Sequence, residues 1–184
     1  AAVAQTNWNL ARDFSPTANP NGTWTFGGST GPGQPLTRFT QFLYAPNYPA
    51  NSWPIWTEGR NGSVSKNNDS VAHEGIAPGQ VTLHPGPDVQ HAVVRWTSPV
   101  SGTIAITGAF GSSGAPGRFI HTNGTFVLEI HNNGGPAPFS ISRSITAGQH
   151  IDFLVGEGWA FGATQLEVNI NVTAVTGPAI TTQP

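Results

Sequence analysis

The sequence predicts an all-β fold, an antiparallel β-sandwich of the jelly-roll type, and three observations carry the prediction. No window of a dozen residues sustains a 3.6-residue apolar period, and Gly or Pro interrupts nearly every candidate helix. Alternation of apolar and polar residues with period two recurs along the chain. Polar turn clusters separate the alternating runs.

In chain order, the strand-like runs are Thr23–Phe26, Leu36–Tyr44, Gln80–Leu83 and Ala92–Thr97, rich in β-branched and aromatic residues. Ile104 and Ile106 alternate after Gly102, and Thr125–His131 and Phe139–Ile145 follow. Ile151, Phe153 and Val155 alternate next. The clearest run sets Leu166, Val168, Ile170 and Val172 on one face, with Glu167, Asn169 and Asn171 on the other. Ser101-Gly102, Asn123-Gly124, Asn132-Asn133-Gly134-Gly135 and Ala147-Gly148 supply turn chemistry. Many short strands with such turns read as a jelly roll. Ala45–Gly79, rich in Pro and Asn, reads as one long irregular loop, and loops of that length are usually functional. Residues 1–175 form the module, and residues 176–184 read as a linker to a following domain.

Charge narrows the function. The 184 residues carry only 9% charged side chains, against roughly 25% in an average globular chain, and a formal net charge of −2. Seven Lys and Arg residues scattered singly make no basic stripe, so nucleic acid is not an expected partner. No apolar stretch approaches the roughly 18–20 residues of a membrane span. Zero Cys excludes disulfides, thiol catalysis and thiolate metal sites. Asn-x-Ser/Thr triplets begin at Asn21, Asn61, Asn68, Asn123 and Asn171, either as glycan acceptors or as a product of composition. The Ala-Ala-Val-Ala start reads as a segment whose signal peptide has been removed, which places the protein outside the cell.

The candidate binding residues cluster in the long loop. Trp53 and Trp56 lie close to Tyr44 and Tyr48, and Glu58, Arg60, Asn61 and Asn67 follow. Sugar rings present flat CH faces that stack on aromatic rings, and their hydroxyls pair with planar polar groups. Each indole reads either as a sugar platform or as a cap on the sandwich core; Trp96 reads as core. Trp159, set among glycines in Gly156–Gly162, is either exposed for stacking or folded back as a plug. Arg118–His121 reads as a strand or a polar edge. No transition-metal spacing occurs, and His84 and His91 carry no ligand motif. A structural calcium is the more plausible metal, with Asp13, Asp69, Asp88 and Asp152 as candidate ligands among which sequence does not choose. Catalysis has little to work with. There is no G-x-S-x-G elbow, the nine carboxylates hold no tight pair except Glu157 near Asp152, and the pair named for glycoside chemistry is Glu58 with Glu74.

Several segments carry a resemblance. Asp13-Phe14-Ser15, Asn19 to Gly27, Leu83-His84-Pro85-Gly86, Val93 to Gly102 and Ala147 to Gly156 together resemble a domain of secreted bacterial proteins. Such domains occur in PEP-CTERM-type exported proteins and as accessory modules of polysaccharide-acting enzymes. The pattern spans about Asp13 to Val172, departing from it at Gln149 and at Gly162-Ala163-Thr164. Ala179 to Pro184 resembles the opening of a bacterial immunoglobulin-like repeat. The resemblance implies a jelly-roll accessory domain that holds a larger enzyme on a polysaccharide.

Together these readings predict a secreted, monomeric, non-catalytic carbohydrate-binding module within a multidomain chain. It would bind a mostly neutral polysaccharide by stacking on Tyr48, Trp53, Trp56 and Trp159, with Glu58, Arg60 and Asn67 on the hydroxyls. The alternatives are a structural or adhesion spacer and, after that, a small glycoside-active enzyme.

Overall fold

The computed structural model describes residues 6–59, 62–87, 90–112, 117–131, 135–156 and 163–175. Arg60, Asn61, Asp88, Trp159, the 176–184 linker and the Asn132-Asn133-Gly134 turn therefore lie outside the described residues.

Two antiparallel sheets face each other across one apolar core, a β-sandwich of the expected jelly-roll class. The first strands are β1 (Asn7–Asn9), β2 (Trp24–Ser29), β3 (Thr37–Arg38) and β4 (Gln41–Tyr44), with a single helical turn, α1 (Leu10–Asp13), after β1. Then come β5 (Pro54–Thr57), β6 (Ser63–Lys66), β7 (Val81–His84), β8 (His91–Thr97) and β9 (Gly102–Phe110). The chain continues through β10 (Gly117–Thr122), β11 (Thr125–His131), β12 (Ala137–Ile145), β13 (His150–Gly156) and β14 (Thr164–Val175). The eight-stranded sheet runs β12-β9-β14-β7-β6-β5-β4, with β1 also on β14; the six-stranded sheet runs β11-β10-β13-β8-β2-β3.

Alternation builds the core, because every second side chain of a strand points inward. Trp24, Phe26, Val94, Trp96, Ile151 and Phe153 come from the six-stranded sheet. They meet Trp8, Leu83, Ile104, Ile106, Val168 and Ile170 from the other. Trp8 packs edge-on against Trp96 with ring centroids 5.2 Å apart, the favoured aromatic geometry. Trp96 is core, as its strand position predicts.

Two sequence expectations change. Leu36–Tyr44 is not one strand: β3 belongs to the six-stranded sheet and β4 to the eight-stranded one. The crossing is fixed at Phe39, which is buried and whose N–H donates to the Phe26 carbonyl, 3.0 Å away. Ala45–Gly79 is not one loop, since it contains β5 and β6. Pro54 opens β5, a position where a strand tolerates a residue with no N–H. Arg118–His121 falls in β10, which is flanked by β11 and β13 and so is not an edge.

The outer face of the six-stranded sheet carries a small second cluster, Val93, Phe119 and Leu154, with Leu36 packed on it. Leu36 ends the strap from residue 30 to residue 36 that joins β2 to β3. Gly156 is required where the His91 ring crosses β13, because a Cβ there would overlap the imidazole.

Candidate aromatic binding platform

The β4–β5 hairpin presents the aromatic residues that the sequence singles out. Its loop is held shut by the Ala45 N–H on the Trp53 carbonyl (3.0 Å) and by Ser52, whose N–H and hydroxyl both donate to the Pro49 carbonyl. Asn51 takes the left-handed backbone (φ 64°) that Asn tolerates in turns. The Tyr48 ring lies flat on the Trp53 indole, centroids 4.6 Å apart and planes 19° apart. Trp53 is only 5% exposed, so Tyr48, half-buried, is the outer member of the stack. Tyr44, on edge strand β4 and 39% exposed, packs edge-on against Phe42, ring centroids 5.1 Å apart.

A second loop braces this stack. Asn68 donates its N–H to the Ser52 carbonyl (2.8 Å), which joins the two loops. The His73 ring sits edge-on to Tyr48, centroids 4.9 Å apart, and its Nε2 pairs with Asp69 at 2.7 Å. That bond from His73 holds the Asp69 carboxyl below its usual range. Burial pushes the Tyr48 phenol up, and its hydrogen bond to Glu74 pushes it further.

Asn67 is fully buried and does not face solvent. Its Nδ2 donates to the Val71 and Ile76 carbonyls at 2.9 Å each, and its Oδ1 accepts from the Asp69 N–H. It shapes the loop that carries His73, and a hydroxyl-binding role for it is corrected to this one. Trp56 is corrected likewise. It packs in the core, 6% exposed, with its Nε1 donating to the Ser15 carbonyl at 2.7 Å. Register explains it: Trp56 pairs with Phe42 on one side and Val64 on the other, and the face it shares with buried Val64 points inward.

Glu58 lies past the far end of β5 from Trp53, about 16 Å away at ~3.3 Å per residue. Its carboxylate accepts from the Thr40 hydroxyl (2.7 Å) and the Thr40 N–H (3.0 Å), which hold it below the usual range. Glu74, on Tyr48, sits at the other end, so the two carboxylates do not form a pair.

No family model matches the chain. No curated protein matches it either. Solved structures of similar architecture include a family 35 carbohydrate binding module from Clostridium thermocellum (14% identity, 67% of this chain, 94% of that one, TM-score 0.37). A CBM35 from Paenibacillus barcinonensis is similar at 14% identity over 81% of this chain and 99% of that one, TM-score 0.35. The enzymatically active domain of Bacteriophage CBA120 tailspike protein 4 is similar over 82% of this chain but 19% of its own, with 12% identity and TM-score 0.42. Likeness at this level carries neither ligand nor activity over to this chain.

The charged residues are largely committed internally. Asp13 accepts from Arg12, from the Asn9 N–H and from Trp24 Nε1; burial pushes its carboxyl up, but these bonds outweigh it and hold it low. Asp152 takes a two-point bond from Arg95. With Asp69 on His73, each described aspartate of the calcium set already has a partner, and among the described residues no group of three His, Asp or Glu is placed to hold a metal ion. Lys66 donates to the Ala11 carbonyl within α1, and buried Arg118 donates to the Gly111 and Gly135 carbonyls. Burial pushes both of these cations down.

Sequence reasoning missed His73 as part of this platform. It lies 25 positions after Tyr48, and only the fold of the 68–76 loop brings it there. Tyr44 was legible as a neighbour of Tyr48 but not as the open one, because exposure on an edge strand depends on sheet order.

Proposed function

We infer that this chain is a non-catalytic carbohydrate-binding module of a larger exported protein, and that it takes a mostly neutral polysaccharide on the Tyr44–Tyr48 platform. One observation carries the reading: a half-buried tyrosine lies flat on a buried tryptophan, in a hairpin that carries a second, exposed tyrosine on its first strand. Such a stack is rigid, so little side-chain freedom is lost when a sugar face settles on it. Neutrality is supported by Lys66 and Arg118, which are occupied by backbone carbonyls and so do not offer a positive surface to an acidic chain.

Retention on insoluble cellulose, xylan, mannan and chitin tests the reading. Wild-type protein is retained on at least one, and Tyr48→Ala loses about tenfold in affinity, the effect of removing one aromatic contact of about 1–1.5 kcal/mol. Retention unchanged in both Tyr44→Ala and Tyr48→Ala removes the platform. A blank panel for the folded wild type leaves the spacer, and release of reducing ends by the isolated chain makes it an enzyme.

A further inference from the structure

A second polar cleft lies on the outer face of the six-stranded sheet, away from the β4–β5 hairpin. The register sets His121, Asp152, Arg95 and Thr25 side by side across β10, β13, β8 and β2. His150 lies two residues from Asp152 on the same face of β13, its Nε2 3.6 Å from Asp152 Oδ2. The strap residues Gly33, Gln34 and Pro35 border this cleft, and the Asn123-Gly124 turn, which abuts the strap at Gly33, continues the border. The cavity they enclose with Arg95, His150 and Asp152 is about 260 Å³. That is just below the roughly 300–1,000 Å³ of pockets for drug-sized ligands, which suits a single sugar ring.

The floor is built and rigid. Arg95 donates Nε to Asp152 Oδ1 (2.7 Å) and Nη2 to Oδ2 (2.8 Å), the two-point geometry that fixes both groups. This leaves the Nη1 amino group of Arg95 and the further lone pairs of Asp152 for another partner. Asn123 and Gly124 form the β10–β11 turn with φ of 48° and 79°, positive at both central residues as a type I′ hairpin needs. Asn123 Oδ1 accepts from the His150 N–H at 2.9 Å, so its Nδ2 remains as a donor. Gln34, exposed on the strap, adds an amide with both donor and acceptor.

We propose that this cleft is a second carbohydrate subsite, and that it takes one uncharged pyranose with neighbouring hydroxyls. The proposal rests on the carbohydrate-binding reading above and extends it to a separate place on the other sheet. Donors and acceptors alternate along the floor, as vicinal hydroxyls require. The Arg95 and Asp152 charges cancel, so neither a uronate nor an amino sugar finds a net counter-charge. The Pro35 ring gives the apolar wall for a sugar CH face.

The test is a ¹⁵N-resolved titration of the whole chain with methyl β-glucoside, methyl α-mannoside, methyl β-galactoside, methyl β-xyloside and glucuronate. We expect at least one neutral glycoside to shift the Gln34 side-chain amide and the Asn123, Gly124 and His150 backbone amides. These shifts persist in Tyr48→Ala. They weaken about tenfold in affinity in Asn123→Gly, which keeps the turn conformation and removes the amide, and in Gln34→Ala. Shifts at Tyr48 with none at this cleft overturn the subsite and leave the module reading standing. Shifts at neither place overturn both. A tighter response to glucuronate than to every neutral glycoside overturns the uncharged class, and shifts unaltered in both cleft variants overturn the assignment to these residues.

Discussion

One amide at Asn67 serves three backbone groups of the loop that brings His73 to the platform. Replacing it by Ala removes a partner from all three, and leaves the Ile76 carbonyl with the His73 N–H alone. At about 1 kcal/mol for each hydrogen bond, Asn67→Ala is expected to cost about 3 kcal/mol, read as a lower urea midpoint. It also releases His73 from Tyr48, so glycan affinity falls although Asn67 touches no ligand. Trp56→Ala and Tyr48→Ala separate core from platform: a core truncation costs about 3–5 kcal/mol, whereas Tyr48→Ala is expected to weaken glycan binding with a far smaller change in melting temperature. If Trp56→Ala melts like wild type, the core placement of Trp56 is wrong. Residue types were enough to find the aromatic segment, since Trp and Tyr beside Asn and Pro stand out in any reading. Which ring is wet was not legible. Trp53 and Trp56 are both buried, Trp53 under the Tyr48 ring and Trp56 by pairing with Phe42 and Val64 from the strands before and after β5.

At the scale of elements, strands with strict alternation were readable from the sequence, and the inward face of β14 matches it closely, while β11 coincides with the strand-like run Thr125–His131. The elements that escaped are short or have little apolar pattern. β5 and β6 have four residues each and sit among Pro, Asn and Gly, so the strand formers they hold, Ile55, Trp56 and Thr57 in β5 and Val64 in β6, make too short a run to stand out. The break between β3 and β4 escaped for a related reason, because a continuous β-prone run does not show where the chain changes sheet. Close approach between strand and side chain gives a prediction at this level. Gly156→Ala forces the His91 ring to move, and overpacking of this kind costs about 1–3 kcal/mol. Thermal unfolding checks it, and an unchanged melting temperature means that the ring has room to shift.

For the whole molecule, titration of the outer face of the six-stranded sheet sets a pH dependence. Burial pushes His121 and His150 down, opposed in part by Asp152 and, at His121, by Glu129; Arg95 lowers His150 further. The unfolded chain then takes up protons at a higher pH than the native one. The stability these groups contribute is complete above about pH 6.5 and is lost as the pH falls through that value. Urea midpoints are therefore lower at pH 5.5 than at pH 7.5, and His121→Leu narrows the difference. A midpoint that rises on acidification contradicts the assignment. At lower pH the depressed carboxyls of Asp13 and Asp69 act in the same direction, their contribution fading as the pH falls below about 4.

The pairing of β1 with β14 has a mechanical consequence. Asn7 lies opposite Asn171 and Asn9 opposite Asn169, in each pair the first Asn donating a side-chain Nδ2 hydrogen bond to the Oδ1 of the second, and the strands are antiparallel. Residue 6 and residue 175 therefore leave the sandwich in the same direction from neighbouring strands. Tension applied between them opens this ladder like a zipper, one rung after another, instead of shearing many rungs at once. β1 detaches first and at low force, drawing Trp8 out from beside Trp96 while β9 still holds the other side of β14. A tether pulled at these two points yields by a short first extension before the sandwich itself gives way.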